Sequence, residues 1–286
     1  MAFTLIATSK QPQDSRAGRP IMNNLVARLF LKYSPKLSRL RALPGFGAVT
    51  HRISQHVLSP DQLIWTQVQK GPGKGLWLKL HPRTGRVYCD GDVEPELQQV
   101  LANHLTPGMV FYDLGANLGF FSLLAARAVG PRGKIFAFEA DPEMAGRLTE
   151  HLTKNRVEDT RVIVSAVWSS NGSVQFSRAD LSLSPERGTG RVVFPAEHTQ
   201  NTLAIPCITL DEFIKTEPPP DFIKCDVEDA EVEVFAGAHK VLSQHRPLVA
   251  CEVHSDQSRT QLTGLFSRLD YSLSWFTSNH LLATPR

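Results

Sequence analysis

The chain has 286 residues, of which 42% are hydrophobic and 21% are charged, so it can build a large core and is not disordered throughout. No run approaches about 18 consecutive apolar residues, so the sequence predicts no membrane-spanning helix. The net charge of +3 is unevenly distributed: residues 1–60 hold nine Lys or Arg and one acid, whereas residues 61–286 hold 22 basic and 27 acidic side chains. Because nucleic-acid binding needs a positive surface, this acidic body argues against a nucleic-acid partner.

The basic N-terminal segment, residues 1–60, is predicted to be partly helical and separate from the rest. Within it, residues 20–45 space leucines near helical intervals with Lys and Arg between them, and Pro35 interrupts the pattern. Such a stretch suits a peripheral membrane contact, a homodimer contact or packing on its own domain. The first residues lack the ordered regions of a secretory signal, so we expect a cytoplasmic location, although an acid-poor, Arg-rich start is also typical of mitochondrial transit peptides.

Residues 61–106 are predicted to form an accessory region on the substrate side of the domain that follows. Two short apolar stretches, 76–80 and 86–89, flank a His-Pro-Arg-Thr-Gly sequence and predict a β-hairpin. Residues 93–105 place apolar side chains on one face, which predicts a helix.

From residue 107 to residue 286, predicted strands alternate with predicted helices. The strands are near-continuous apolar runs, which is typical of a parallel sheet with helices on both faces. Residues 172–206 interrupt this alternation with short strands and loops. The predicted strands cover 109–114, 134–138, 162–167, 222–225 and 247–253; the helices cover 119–129, a segment opened by Asp141 and Pro142, 229–243 and about 258–269; and a C-terminal antiparallel hairpin pairs 271–276 with 280–283.

A glycine-containing loop connects the first of these strands to the first helix. Gly115, Asn117 and Gly119 follow Asp113, which ends the apolar strand. In an open α/β sheet the ligand crevice lies beyond the carboxyl ends of the strands, and glycines there let the backbone approach a ligand. Glu139 ends the second strand, where a carboxylate can accept hydrogen bonds from ribose hydroxyls. This combination favours a nucleoside site over an ordinary strand-to-helix turn.

The loop departs from the fingerprint of dinucleotide sites. That fingerprint has glycines at the positions of Asn117 and Phe120, where they permit close approach to a pyrophosphate and close helix–strand packing. A ligand with a ribose but without phosphates suits this loop better, and S-adenosylmethionine is such a ligand. Its cationic groups also favour a carboxylate at the loop, which Asp113 supplies.

Several further segments accompany the glycine loop along the chain. With the loop, they are Gly91–Glu94, DLGANLGF at 113–120, Glu139, Thr209-Leu210-Asp211, IKCDVEDAE at 223–231, Phe235–Ala238 and Glu252. Together these segments resemble the FkbM family of S-adenosylmethionine-dependent methyltransferases. The resemblance covers roughly residues 75–276, in order, and it implies an α/β, class I methyltransferase, Rossmann-like fold. Two positions depart from the family pattern: Ala140 replaces a proline and Asp229 replaces a glycine, where Asp229 adds bulk and charge or caps the next helix.

Acidic side chains follow the fourth and fifth strands of this region. Asp226 and Glu228 are two residues apart, as are Glu252 and His254, so each pair lies on one face of its strand. If the two strands are neighbours, these four side chains converge beside the transferable methyl group. His254 is our first candidate for the base that removes the proton of the acceptor, because its ordinary pKa is nearest neutrality.

Asp226 is the second candidate for the base, or else a ligand of the cofactor's methionine end or of a substrate hydroxyl. Lys224 can pair with Asp226 and lower its pKa. The remaining predicted cofactor contacts are Ala116, Ala140, Ser165 and Ala166. The alternative for the acids from Asp226 to Glu231 is stabilisation of a helix start.

Metal and disulfide chemistry are not favoured. A divalent metal on Asp226, Glu228 and Glu252 is an alternative, because hard cations prefer clustered oxygens. The cysteines are not spaced as CxxC and are predicted to be buried, reduced thiols at positions 89, 207, 225 and 251.

The reaction implied by the resemblance is O-methylation of a hydroxyl on a sugar, a polyketide or another small metabolite. N-methylation of an amide or amine is an open variant. Two other classes also stay open, a nicotinamide-dependent oxidoreductase and a non-catalytic scaffold with the same fold.

Overall fold

The computed structural model describes residues 62–82, 84–178, 190–194 and 202–286. The amphipathic stretch predicted at 20–45 and part of the excursion at 172–206 lie outside these residues. None of the helices within the described ranges is long and apolar enough to cross a membrane.

Strands and helices alternate along most of the described chain. The strands are β1 (Ile64–Gln67), β2 (Trp77–Leu80), β3 (Val110–Leu114), β4 (Lys134–Glu139), β5 (Thr160–Val164), β6 (Ala166–Val167), β7 (Gly172–Ser177), β8 (Arg191–Val192), β9 (Thr202–Ile208), β10 (Phe222–Cys225), β11 (Leu248–Glu252), β12 (Tyr271–Trp275) and β13 (His280–Pro285). The helices are α1 (Arg86–Asp90), α2 (Pro95–His104), α3 (Phe120–Val129), α4 (Pro142–Lys154), α5 (Leu210–Phe213), α6 (Glu231–Ala236) and α7 (Asp256–Arg268), with a 3-10 turn at Gly130–Arg132 and a π-helical turn at Val241–His245.

In the part of the chain that the structure describes, seven strands form the central sheet in the order β12-β13-β11-β10-β3-β4-β5. Neighbours pair in parallel, except that β13 runs antiparallel to both β11 and β12. The predicted class I methyltransferase fold, a mostly parallel α/β sheet with a C-terminal antiparallel hairpin, is confirmed.

Helices cover both faces of this sheet because successive strand residues point to opposite sides. In β3, Phe111 packs in the hydrophobic cluster that contains apolar side chains of α2, α3 and α4. Its neighbour Tyr112 packs in the cluster with side chains of α5, α6 and α7. All four cysteines are buried and form no disulfide, as predicted.

The predicted hairpin in the accessory region is wrong. The strand β2 pairs with β1, with Ile64 opposite Leu80, and residues 86–90 form the helix α1 instead of a second strand. The apolar side chain of Cys89 is buried in the core cluster by this helix, so tertiary packing overrides the strand preference of Val87 and Tyr88. Side chains of β1, β2, α1 and α2 share one cluster with α3. The domain boundaries proposed at residues 60 and 106 stay predictions.

The third predicted strand, 162–167, is divided in two. β5 belongs to the central sheet, whereas β6 pairs with β9 in a separate four-stranded sheet of order β6-β9-β7-β8. Ser165 lies at the break, where its hydroxyl donates to the carbonyl of Pro206 at 3.0 Å. Ser165, a polar residue within the apolar run, therefore marks the change from one sheet to the other.

The helix predicted at 229–243 is also interrupted. α6 ends at Ala236, and a Cβ atom at Gly237 would lie 2.2 Å from the carbonyl oxygen of Trp168. Asp211 then caps the following turn, because its carboxylate accepts from the backbone amides of Lys240 and Val241 at 2.9 and 3.0 Å. The other predicted helices and strands of the central sheet are confirmed with small shifts at their ends.

Candidate active site

The carboxyl ends of β3, β4, β10 and β11 open onto one cavity of about 460 Å³, a volume within the usual range of small-molecule sites. Parallel pairing brings these ends together, since Leu114 lies opposite both Phe138 and Cys225, and Cys225 lies opposite Cys251. Nine predicted site residues line the cavity: Gly115, Asn117, Glu139, Ala140, Ser165, Ala166, Asp226, Glu228 and Glu252. Five others do not line it: Asp113, Ala116, Gly119, Lys224 and His254.

The glycine loop is held against the neighbouring strand ends by its backbone. The amides of Gly115 and Ala116 both donate to the carbonyl of Phe138, at 3.0 and 2.9 Å. Gly115 has a φ of 73°, and a Cβ atom there would lie 1.8 Å from the carbonyl oxygen of Asp226. Only glycine fits between the loop and the end of β10, which explains this residue of the motif.

Glu139 is fixed by backbone donors at the end of β4. One carboxylate oxygen accepts from the amide of Asn117 at 2.7 Å, and the other accepts from the amide of Asp141 at 2.8 Å. Burial raises the pKa of Glu139 to about 7, although these two hydrogen bonds favour the charged form. The carboxylate borders the cavity with lone pairs left over for hydroxyl donors.

Asp113 and Lys224 form a buried pair behind the loop. Asp113 is fully buried, accepts a hydrogen bond from Ser122 at 2.6 Å and lies 3.4 Å from the ammonium of Lys224. Lys224 also donates to the carbonyl of Gly115 at 2.8 Å and lies 3.6 Å from Asp226. Both residues therefore support the loop from outside the cavity, so Asp113 does not present its charge at the cavity surface, where the sequence analysis placed it.

The acids after β10 and β11 converge on one histidine. His254 Nε2 lies 3.6 Å from Glu228, 3.8 Å from Asp226 and 3.9 Å from Glu252. The two strands are neighbours, so the geometric condition for this convergence is met. His254 itself lies behind these carboxylates rather than among the lining residues.

A fully buried glutamate orients His254 from the other side. Nδ1 of His254 lies 2.6 Å from Glu231, which is 0% exposed. Burial by itself lowers the pKa of His254, but the hydrogen bond to Glu231 and the nearby carboxylates raise it to about 9. The ring therefore holds a proton at neutral pH in this structure, and it must release that proton before it can act as a base.

Asp229, which replaces the glycine of the family pattern, lies where the backbone is left-handed. Asp229 has a φ of 70° and follows Glu228 with a φ of 50°. This conformation favours glycine, which explains the glycine of the family pattern. Asp229 does not cap the next helix: α6 has Ala230 as its N-cap and no side-chain cap hydrogen bond. Instead the amide of Asp229 donates to Glu231 at 3.1 Å.

The sequence analysis did not include Glu94, His280, Asn279 and Tyr88 in the site. Glu94 and Tyr88 line the cavity, and His280 lies 3.3 Å from Glu94. Asn279 donates to Glu252 at 2.6 Å. A sequence pattern could have indicated Glu94, because it ends the Gly-x-x-Glu segment of the family resemblance. No sequence pattern indicated Asn279 or His280, which lie in the C-terminal hairpin.

Among the described residues, two groups of side chains have a geometry that could hold a metal ion. Asp226, Glu252 and His254 form one, and Glu94, Glu252 and His280 form the other, with candidate ligand atoms within 4.8 Å of one another. In both groups the histidine faces carboxylates that raise its pKa, which favours the protonated imidazole. A metal ion would have to displace that proton in order to bind the ring nitrogen.

The family of the chain follows from a comparison with known proteins. The Methyltransferase FkbM domain matches residues 113–278, more than half of the sequence. The chain belongs to this family. It is a methyltransferase, and the resemblance seen in the sequence is confirmed.

Two curated proteins that the chain resembles are also named methyltransferases. The chain is 27% identical to the hexuronic acid methyltransferase AglP of Haloferax volcanii over 182 residues, which cover 63% of this chain and 70% of AglP. It is also 27% identical to an arsenite methyltransferase of Halobacterium salinarum over 147 residues, which cover 48% of this chain and 35% of that protein. A crystal structure of the methyltransferase FkbM from Methylobacillus flagellatus is 17% identical, with a TM-score of 0.46, over 62% of this chain and 43% of that one.

Proposed function

We propose that this methyltransferase transfers the methyl group of S-adenosylmethionine to a hydroxyl group of a sugar or a similar small metabolite. The observation that carries the proposal is the cavity at the strand ends, where Glu139 lies on one side and Asp226, Glu228 and Glu252 lie on the other. A carboxylate fixed beside the glycine loop suits a ribose, and an acidic opposite side suits a cationic centre.

The charge of the cavity supports this cofactor. Its lining includes five carboxylates, from Glu94, Glu139, Asp226, Glu228 and Glu252, and no Lys, Arg or His among the described lining residues. A pyrophosphate would meet repulsion here, whereas a sulfonium and an ammonium group would be attracted. This argues against the nicotinamide-dependent reaction considered from the sequence.

S-adenosylmethionine, when bound, supplies an electrophilic methyl group. Glu139 would accept hydrogen bonds from the ribose hydroxyls, and the backbone of Gly115 and Asn117 would border the nucleoside. Asp226 would face the methionine end or the acceptor hydroxyl. These roles need no rearrangement of the carboxylate of Glu139, because two backbone amides already fix it.

His254 is the proposed proton acceptor for the substrate hydroxyl. Glu231 fixes the ring through Nδ1, so Nε2 is directed toward the carboxylates of the cavity. Because His254 lies behind the lining carboxylates, the proton of the acceptor would reach Nε2 through Glu228 or Asp226, which lie 3.6 and 3.8 Å from it. His254 can take this proton, as the oxygen attacks the methyl group, once it has lost the proton that its pKa of about 9 keeps on the ring at neutral pH.

The acceptor class is supported by the name of one relative. AglP is called a hexuronic acid methyltransferase, which favours a sugar-like acceptor for this chain as well. We also propose a small molecule rather than a nucleic acid as the substrate, because the cavity and the body of the chain are acidic. N-methylation would use the same side chains, and the panel of acceptors described next distinguishes it from O-methylation.

The test combines cofactor binding with an acceptor panel. Purified full-length protein is dialysed against labelled S-adenosylmethionine and labelled NAD, and we expect retention of the first alone. Labelled methyl transfer is then measured on neutral sugars, hexuronic acids and amines. Retention of NAD alone would contradict the proposed cofactor, and transfer to amines alone would contradict O-methylation.

A further inference from the structure

Glu94 is a carboxylate that the N-terminal part of the described chain brings to the cavity. It is the N-cap residue of α2, with a φ of 40°, but its side chain makes no capping hydrogen bond. Instead Oε2 lies 3.3 Å from Nε2 of His280, and the residue lines the cavity with Glu228 and Glu252. The side chain is thus directed away from its own helix and toward the site.

His280 holds this carboxylate against Glu252. His280 is buried, with 7% of the residue exposed, and its Nδ1 is fixed by the hydroxyl of Thr277 at 2.9 Å. Nε2 lies between Glu94, at 3.3 Å, and Glu252, at 3.8 Å. Burial lowers the pKa of His280, but the hydrogen bond to Glu94 and the charge of Glu252 raise it overall. Glu252 is further fixed by Asn279 through its other oxygen.

Two carboxylates share one histidine, so this side of the cavity keeps an excess of negative charge even when His280 is protonated. No Lys or Arg among the described residues lines it. An acceptor that carries its own carboxylate would therefore be repelled here.

We propose that Glu94, held by His280 against Glu252, binds the acceptor and selects uncharged or cationic hydroxyl compounds over acidic ones. The inference rests on the proposed function and narrows its substrate class. The carboxylate of Glu94 accepts hydrogen bonds from hydroxyl or ammonium groups of the acceptor. It follows that the acceptor differs in charge from the hexuronic acid in the name of AglP.

Three probes of one ring geometry test this selection: the methyl glycosides of glucose, glucosamine and glucuronic acid. Their binding to the full-length protein saturated with S-adenosylhomocysteine is followed by saturation-transfer NMR, together with methyl transfer. We expect glucosaminide and glucoside to bind more tightly than glucuronide. Glu94→Gln should weaken binding of the first two by about 10- to 100-fold, the usual effect of losing a hydrogen bond to a charged group, and should leave glucuronide unchanged or tighter.

Glu96→Gln is the matched control. It removes the same charge two residues further along, from an exposed side chain that does not line the cavity. We expect it to leave the order of the three probes unchanged. His280→Gln, which keeps a donor near the position of Nε2, should weaken the selection less than His280→Leu.

Several results would overturn the proposal. They are glucuronide binding as tight as that of the neutral probe, equal effects of Glu94→Gln and Glu96→Gln, or no binding of any probe to protein that retains S-adenosylhomocysteine. If the protein still binds S-adenosylhomocysteine when any of these results is obtained, the methyltransferase assignment stands. Failure to bind it would instead contradict the proposed function itself.

Discussion

The two sides of the cavity are built by different means. On the side proposed to bind the cofactor, the cofactor side, backbone groups fix a carboxylate, since Glu139 accepts from the amides of Asn117 and Asp141. On the side proposed to bind the acceptor, the acceptor side, side chains fix one another. His254 contacts Glu231 and faces three carboxylates, and His280 bridges Glu94 and Glu252. The first side is a property of one strand–loop–helix unit, whereas the second is assembled from distant segments.

Because of this difference, substitutions on the two sides should change different measurable properties. A backbone-fixed carboxylate should keep its position when neighbouring side chains change, so variants there act on cofactor affinity. A network of charged side chains should respond as a unit, so variants there act on turnover, on acceptor choice and on pH dependence.

The largest expected effect is on the acceptor side. His254→Ala should lower kcat/KM by about 100- to 10,000-fold, the usual contribution of general acid–base catalysis, while the affinity for S-adenosylmethionine stays close to that of the wild type. Initial rates of labelled methyl transfer and calorimetry measure the two quantities. His239→Ala, at an exposed histidine, should match the wild type in both.

The pH profile of the wild type sharpens this assignment. The pKa of His254 is about 9, and a base must be deprotonated to act, so kcat/KM of the free enzyme should rise as the pH approaches about 9. A profile that is flat above pH 7, or full activity in His254→Ala, would move the role of the base to Asp226 or another carboxylate.

On the cofactor side, Glu139→Ala should weaken S-adenosylmethionine binding by about 100-fold, because the variant loses the ribose contacts and leaves two backbone amides without their acceptor. Equilibrium dialysis measures the change. Glu150→Ala, at an exposed side chain paired with Lys79, serves as the control and should bind like the wild type. Unchanged binding in Glu139→Ala would place the nucleoside elsewhere.

A smaller effect is expected from pH on cofactor affinity. The pKa of Glu139 is raised by burial to about 7, and only the ionised carboxylate can accept from two hydroxyls with both oxygens. Affinity should therefore fall as the pH is lowered through about 7 and recover above it. Glu139→Gln should bind weakly with little pH dependence, whereas the same pH dependence in this variant would assign it to another group.

The smallest effect concerns the backbone between β10 and α6. Asp229 has a left-handed backbone with a φ of 70°, so Asp229→Gly should raise the free energy of unfolding by up to about 1 kcal/mol. Urea denaturation measures this change, and Asp229→Ala, which keeps a Cβ atom, should show no such gain. A loss of stability in Asp229→Gly would mean that the aspartate side chain makes a stabilising contact.

The sequence indicated which residues meet beside the glycine loop because these signals are local. A strand, Gly115, Asn117 and the acid at the end of the next strand lie within one chain segment, and parallel pairing of β3 with β4 brings them together. Asp113 lies apart from the cavity lining for a reason that lies elsewhere in the chain. Lys224, more than a hundred residues away, lies beside Asp113 and pairs with its charge behind the loop.

The acceptor side was only partly predictable. The period-2 pairs on β10 and β11 identified Asp226, Glu228, Glu252 and His254, because strand geometry dictates which side chains share a face. Glu94 and His280 approach from the start of α2 and from the C-terminal hairpin, and their contact depends on tertiary packing that no local pattern encodes. The failed hairpin at 86–89 has the same origin, since burial of Cys89 decides the conformation of that segment.

A crystal structure of the full-length protein with S-adenosylhomocysteine tests the central claim most directly. We predict that the ribose hydroxyls lie within hydrogen-bond distance of Glu139 and that the sulfur faces the side of the cavity formed by Asp226, Glu228 and Glu252. A nucleoside bound away from Glu139, or a sulfur directed away from these carboxylates, would contradict the account.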